Sequence, residues 1–278
     1  MQGRPKVRSP WLKHLFERTL VAICLVPLSI PIALVYIAVR VFSPGPAIYK
    51  QVRVGAFGKI FTMYKFRTMS LNAESNGPTW SSGKVDPRLT KIGRALRYLH
   101  LDELPQLWNV LKGEMSLIGP RPERPAFVLM LAEEVDGYLD RLAIRPGITG
   151  LAQVYLEADT SIDCVRRKIL YDKLYIQSES LLLDLKIAVC TLVRMFGVRN
   201  GKGPRWFGLN NHCVKSGLVR RTRVKSEAIV AQGTKYKPVL VFDTRTRSVV
   251  PVSVATGSRF DFESSEDFTI PPSRRSPK

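Results

Sequence analysis

The sequence predicts a mainly helical α+β fold held at a membrane surface. It divides into an N-terminal basic segment with a re-entrant membrane helix (1–42), a cytoplasmic-face domain (43–204) and a basic C-terminal extension (205–278). Three observations predict this. Thr19 to Val39 holds no charged residue, yet Pro27, Ser29 and Pro31 crowd its middle. Both flanks of that run are basic. The 43–204 region alternates turn clusters with short amphipathic stretches, which suit one small β-hairpin and helices lying in the membrane interface.

The run from Thr19 to Val39 is just long enough for a straight bilayer span. A cleaved signal peptide would be shorter and end on a small-residue site. Arg4, Lys6, Arg8, Lys13 and Arg18 precede the run, and Arg40, Lys50, Arg53 and Lys59 follow it. Positive charge favours the cytoplasmic side, so a span would leave one basic flank outside. Each proline removes a helix donor and crowds the preceding turn, and Ser29 can bond a carbonyl so freed. A helix that enters, bends at Pro27–Ser29–Pro31 and returns to the same face satisfies both constraints; an ordinary kinked span is the alternative.

The chain carries a net charge of +20 and a pI near 10.1. Its partner is therefore anionic: lipid, phosphorylated substrate or nucleic acid. Cys24, Cys164, Cys190 and Cys213 show no paired spacing, which fits a reducing cytoplasm without a zinc site. His14, His100 and His212 are too dispersed for a histidine metal site.

Ser43–Pro46 is a turn that ends the membrane segment. Ala47–Val54 and Ile60–Phe66 read as a hairpin around Gly55 and Gly58, with a basic rim of Lys50, Arg53, Lys65 and Arg67. Residues 70–90 read as a loop. From Thr90, apolar Ile92, Leu96 and Leu99 recur at helical spacing and lead the chain to Asp102.

Leu101 to Pro122 concentrates the chemistry. Asp102 and Glu103 are adjacent, Pro105 suits the start of a short amphipathic helix, and Gly119-Pro120-Arg121-Pro122 presents one guanidinium on a rigid loop. Spacing leaves two readings open. The acids cap a helix and Arg121 pairs with a surface acid; or the carboxylates form a metal and nucleophile pair, with Arg121 holding a phosphate.

Pro125–Ile144 reads as one amphipathic helix. Arg145–Gly150 reads as a shaped loop whose arginine can hold a diphosphate or pair structurally. Val165–Gln177 reads as a helix bearing Asp172. Ser180–Val198 is apolar but contains Asp184, Lys186 and Arg194, so it suits a helix in the interface rather than a second span. The tail from 205 carries 14 Lys+Arg against 6 Asp+Glu, about +8. Val239–Phe242 and Val249–Val254 read as strands, with a disordered end after Asp261. Arg220-Arg221-Thr222-Arg223 would suit anionic lipid or RNA.

Five blocks carry a resemblance: Gly45–Gly55, Tyr64–Met69, Leu101–Pro122, Arg145–Gln153, and Tyr171-Asp172 through Asp184–Ile187. In this order, over about residues 10–200, they resemble the bacterial sugar transferases, the monotopic polyprenyl-phosphate phosphoglycosyl transferases. The resemblance implies transfer of a sugar 1-phosphate from a UDP-sugar to undecaprenyl phosphate, with release of UMP. It implies Asp102 as nucleophile, Asp102 and Glu103 on Mg²⁺, and Lys65, Arg67, Arg121, Arg145 and Asp172 among the substrate-binding residues. It places the chain at the bacterial inner membrane, active on the cytoplasmic face, among anionic lipids. A homodimer is compatible with it, and nucleic acid is not expected as a partner. The family's bend carries a Ser-Pro pair. Here Ile30 follows Ser29, and the prolines fall at Pro27 and Pro31. A non-catalytic, membrane-anchored adaptor for polyanions is the competing reading.

Overall fold

The computed structural model describes residues 10–74, 86–157 and 161–195, together with the backbone of two strands at 236–243 and 248–255. Arg220–Arg223 and the end after Asp261 lie outside the described residues.

Helix α1 runs from Pro10–Phe42 as one uninterrupted helix with Pro27 and Pro31 inside it, so the prolines do not break the segment. Leu25, Ser29, Ile32, Ala33, Tyr36 and Ile37 line a shallow concavity with no other element contributing to it. At 3.6 residues per turn Pro27 and Pro31 lie on the opposite face, where a proline ring crowds the carbonyl four residues back. Ser29 Oγ donates to the Val26 carbonyl at 2.6 Å. The expectation that Ser29 would satisfy a carbonyl freed by a proline is corrected in its detail, since those carbonyls belong to Ile23 and Pro27.

Both halves of α1 pack on the same domain. Val21 and Leu25 join a cluster with Phe61, Met63, Val110 and Met115. Ile32, Val35 and Val39 join another with Ala47, Phe66 and Leu96. Polar contacts fix the N-terminal half further. Lys13 Nζ lies 2.8 Å from Glu179, 3.1 Å from Asp184 and 2.7 Å from the Tyr175 hydroxyl. Glu17 accepts from Ser116 Oγ at 2.7 Å. The outer face exposes Ile23, Val26, Ile30 and Leu34.

Strands β1 (Ile48–Val54) and β2 (Ile60–Phe66) form the expected antiparallel hairpin, with Ile48 opposite Phe66 and Val54 opposite Ile60. The expected basic rim is not all a rim. Lys50 is exposed, whereas Lys65 turns inward and Arg67 is buried. Helix α2 (Lys91–Tyr98) begins at Thr90, whose side chain accepts from Gly93 N–H, a standard N-cap. His100, in the left-handed region at φ 55°, turns the chain into a 3₁₀ turn over Leu101–Glu103. Helix α3 (Gln106–Lys112) follows and ends on Gly113 in the left-handed conformation.

A second pairing was not apparent from the sequence. Strands β3 (Ser116–Ile118) and β4 (Gly147–Thr149) run parallel, so the Arg145–Gly150 loop contains a strand. Gly119 and Gly147 lie so close that a Cβ on either would strike the other's backbone. The expected single helix over 125–144 is two pieces: α4 (Pro125–Glu134) and a 3₁₀ segment Tyr138–Ala143. Gly137, with φ 68°, makes the break. Helices α5 (Leu151–Tyr155), α6 (Ile162–Ser178) and α7 (Leu181–Met195) complete the domain. Asp184 of α7 is buried against Lys13 and Tyr175, while Leu181, Leu182, Leu185 and Leu192 are exposed. The expected tail strands form an antiparallel pair, β5 (Tyr236–Asp243) and β6 (Ser248–Ala255).

Candidate active site

Glu103 is the centre of the candidate site. Its Oε1 accepts from Lys65 Nζ at 3.2 Å and from Arg121 Nη2 at 2.6 Å. Lys65 comes from β2, Glu103 from the 3₁₀ turn and Arg121 from the loop after β3. Asn109 fixes the first two relative to each other. Wholly buried on α3, it donates to the Thr62 carbonyl at 2.7 Å and accepts from Tyr64 N–H at 3.2 Å. The Ile118 carbonyl, just before the Arg121 loop, accepts from the Tyr175 hydroxyl at 3.2 Å, and that hydroxyl also contacts Lys13 of α1. The site is thus tied to the membrane helix through Lys13, which reaches the Ile118 carbonyl both directly at 3.4 Å and by way of Tyr175.

Asp102 is only 8 % exposed. Among the described residues its carboxylate makes no hydrogen bond or ion pair, in contrast to Glu103 beside it. Burial, and then the Glu103 charge, raise its pKa above the ordinary carboxylate value. Burial also pushes Glu103 up, but Arg121 and then Lys65 outweigh it and hold that carboxyl far below the usual range. Burial pushes the Lys65 ammonium down to about 8; Glu103 offsets part of the shift, and Arg121 and Arg53 add to it. The turn therefore holds a locked carboxylate and a loose, more basic one.

Both bonds to Glu103 fall on Oε1, so Oε2 and the Asp102 carboxylate remain as unbonded oxygens on adjacent residues. Among the described residues no group of three or more His, Cys, Asp or Glu gathers to hold a metal. Two neighbouring carboxylates fit a Mg²⁺ that takes its remaining ligands from substrate phosphates and water.

The other residues singled out in the sequence lie elsewhere. Asp172 forms a buried ion pair with Arg141 at 3.0 Å and is 2 % exposed, so it stands behind the site. Arg141 also donates to the Arg121 carbonyl at 2.7 Å, which makes the pair a support for that loop. The Arg145 guanidinium lies beside Gly113 and feels the charges of Arg18 and Glu17, near the N-terminal half of α1. Arg67 belongs to a different place, at the end of α1.

Several contributors gave no sequence signal. Arg97 bonds Thr68 Oγ1 at 3.1 Å and acts electrostatically on Asp102. Glu123 lies 2.9 Å from Lys168 and 3.4 Å from Arg53, with Arg141 at 3.9 Å. Burial pushes Glu123 up, but Lys168, Arg141 and Arg53 together bring it to about 2. A clue was present in the acid two residues after Arg121, but its partners come from distant segments.

The site is a carboxylate pair with Lys65, Arg121 and Arg97 acting on it, in a domain packed against a long apolar helix. Residues 8–198 match the family of the bacterial sugar transferases, and the chain belongs to it. It is 42 % identical over 184 residues to UDP-N-acetylgalactosamine-undecaprenyl-phosphate N-acetylgalactosaminephosphotransferase of Aeromonas hydrophila, covering 65 % of this chain and 43 % of that protein. It is 38 % identical over 206 residues to undecaprenyl-phosphate glucose phosphotransferase of Komagataeibacter xylinus, covering 72 % and 39 %. It is also 40 % identical over 190 residues to the uncharacterized sugar transferase EpsL of Bacillus subtilis (strain 168), covering 68 % and 89 %. The match thus spans only 43 % and 39 % of the first two relatives, and 89 % of the third.

Glu123→Gln leaves the buried Arg141 and Lys168 and the half-buried Arg53 short of their shared anion. We expect a loss of about 3–5 kcal/mol, as for a broken buried pair, read as a lower unfolding midpoint of the detergent-solubilised protein.

Proposed function

We propose that the chain is a phosphoglycosyl transferase that moves a sugar 1-phosphate from a UDP-sugar to undecaprenyl phosphate, the first membrane step of glycan assembly. The observation that carries this reading is the unpaired, buried Asp102 carboxylate beside a Glu103 that is already bound to two cations. Family membership and the names of the relatives support it.

An Asp102 oxygen attacks the β-phosphorus of the UDP-sugar. The bond from that phosphorus to the bridging oxygen breaks, and UMP leaves with the electron pair. The sugar phosphate is then an acyl phosphate on Asp102. An oxygen of the lipid phosphate attacks the same phosphorus, the Asp102 carboxylate leaves, and undecaprenyl-diphosphate-sugar forms. Covalent relay lets one site serve two unlike substrates in turn. Desolvation makes Asp102 a more basic attacking group, while Lys65, Arg121 and Arg97 oppose the repulsion between it and the diphosphate. Asp102 and Glu103 would hold Mg²⁺, which neutralises diphosphate charge and improves UMP as a leaving group.

A re-entrant α1 fits this chemistry, because it keeps the site at headgroup depth on the cytoplasmic face. Its support is geometric. Leu25 and Ile32 both pack on the domain, and the helix between them rises only about 10 Å, at ~1.5 Å per residue. The hydrocarbon core is about 30 Å thick, and so short a rise between the two contacts supports re-entry over a crossing.

In the topology test, cysteines at positions 6 and 59 should be equally shielded from an impermeant thiol reagent in intact cells; labelling of one alone would establish a span. In the nucleophile test, wild-type protein incubated with UDP-sugar and no lipid acceptor should gain the mass of one phosphosugar, mapped to Asp102. Asp102→Asn should gain none and lose turnover; near-normal turnover, or an adduct elsewhere, overturns the assignment. An adaptor would release no UMP. Finally, Lys65 loses its charge as pH rises through about 8. The kcat/KM for UDP-sugar should fall above that pH, and Lys65→Arg, which stays charged, should move the fall to higher pH. An unchanged profile would remove Lys65 from donor binding.

A further inference from the structure

Arg67 is 5 % exposed, yet it has no carboxylate partner among the described residues. Its Nη2 donates to the Ser43 carbonyl at 2.6 Å and to Ser43 Oγ at 3.0 Å. Its Nε and Nη1 are buried with no hydrogen-bond partner among the described residues. The charge that acts on it is a second cation, Arg40, which is itself exposed and donates to the Gly45 carbonyl at 2.9 Å. The nearest acids in sequence are already engaged. Glu74 pairs with Arg124 at 2.6 Å, and Asp86 pairs with Arg88 at 2.7 Å. Residues 75–85 contain no Asp or Glu.

A buried guanidinium without an anion is costly. The C-terminal end of α1 supplies part of a counter-charge, roughly half a unit, through the Ser43 bonds. That accounts for one nitrogen of the fork and leaves two. The backbone around the open edge is shaped. Gly45 has φ 106°, and a Cβ there would strike Arg67 Nη1, so only glycine permits this approach. Leu71, whose side chain is 64 % exposed, lies over the same spot. Arg67 thus sits one side chain below the surface. The place is just past Val41 and Phe42, which are 69 % and 73 % exposed at the end of the membrane helix.

We propose that Arg67 and Arg40 form a lipid-phosphate site at the membrane surface, separate from the Glu103 cluster and opened by displacement of Leu71. The inference rests on the membrane placement proposed above and not on the transfer chemistry. The fork of an arginine matches phosphate oxygens, and the headgroup layer is where lipid phosphates lie. The phosphate can be that of the polyprenyl acceptor or of an anionic phospholipid.

The test is native mass spectrometry of the full chain released from phosphatidylcholine nanodiscs doped with either phosphatidylglycerol or undecaprenyl phosphate. Wild type should retain the doped lipid. Arg67→Gln and Arg40→Gln should each lower retention about tenfold, as expected for loss of a charge-assisted hydrogen bond. A drop for undecaprenyl phosphate alone assigns the site to the acceptor, a drop for phosphatidylglycerol alone assigns it to the bilayer, and a drop for both assigns it to lipid phosphates generally. Arg40 is exposed, so Arg40→Gln decides the matter if Arg67→Gln does not fold. Wild-type retention of both lipids by Arg40→Gln, or by a folded Arg67→Gln, overturns the site. No turnover is read, so a failure of the Asp102 chemistry leaves this result intact.

Discussion

The bridge from Glu103 to Lys65 and Arg121 is the contact on which the arrangement of the site depends. It joins a strand, a 3₁₀ turn and a proline-bounded loop that share no local sequence. Without it, Arg121 and Lys65 would repel each other across a space with little water to screen them. The bridge also separates two adjacent acids into distinct states. Glu103 is held ionised by its cations, and Asp102 is left buried without a partner among the described residues. Adjacent carboxylates whose environments push their pKa values apart can take different roles.

The membrane helix and the site are parts of one packed body. Val21 and Val39 are both nearly inaccessible, and they contact opposite ends of the region that contains the hairpin and α3. Lys13 reaches the Tyr175 hydroxyl, which bonds the carbonyl preceding the Arg121 loop. A shift of α1 would therefore be felt at Arg121. The same helix leaves Ile23, Val26, Ile30 and Leu34 exposed, and α7 adds Leu181, Leu182 and Leu185. Surfaces of that kind mark membrane or protein contact in a folded chain. The inward charges of α7 are explained by the same geometry: Asp184 meets Lys13 and Tyr175 on the buried face, so the outer face stays apolar.

Much of this was legible in the sequence because it has local causes. The hairpin, α2 with its Thr90 cap, α6 and α7 follow from periodicity and capping, which act over a few residues. The acid pair and Arg121 were legible as a motif. The β3–β4 pairing was not, because strands of three residues carry no measurable alternation and their partners are distant in the chain. The break at Gly137 was hidden by apolar residues that keep helical spacing on both sides of it. Glu123 was hidden for another reason: Arg53, Arg141 and Lys168 converge on it from three separate elements, and no spacing encodes that. Lys65 and Arg67 looked equivalent, two residues apart at the end of one strand. Lys65 shares the face of Phe61 and Met63, which leads it to α3 and Glu103. Arg67 lies beyond the last strand residue, where the chain has turned toward Ser43.

The charge of +20 gains a structural meaning from these clusters. Among the described residues, three clusters hold more cations than acids, whereas Lys13 meets two acids, Glu179 and Asp184. Glu103 is shared by two cations, Glu123 by three, and Arg67 has no acid among the described residues. A soluble protein with no anionic ligand would be destabilised by such an excess, because each unmatched buried charge carries a desolvation cost of several kcal/mol. The cost is reduced if the missing anions arrive as substrate and lipid phosphates, and binding them then stabilises the fold by mass action. On this view the locally unmatched cations stand where the proposed phosphates would bind, around Asp102 and at the end of α1. On the proposed function, the cations at these two places stand ready for a phosphate before it binds, so its binding needs no new positive charge to be buried.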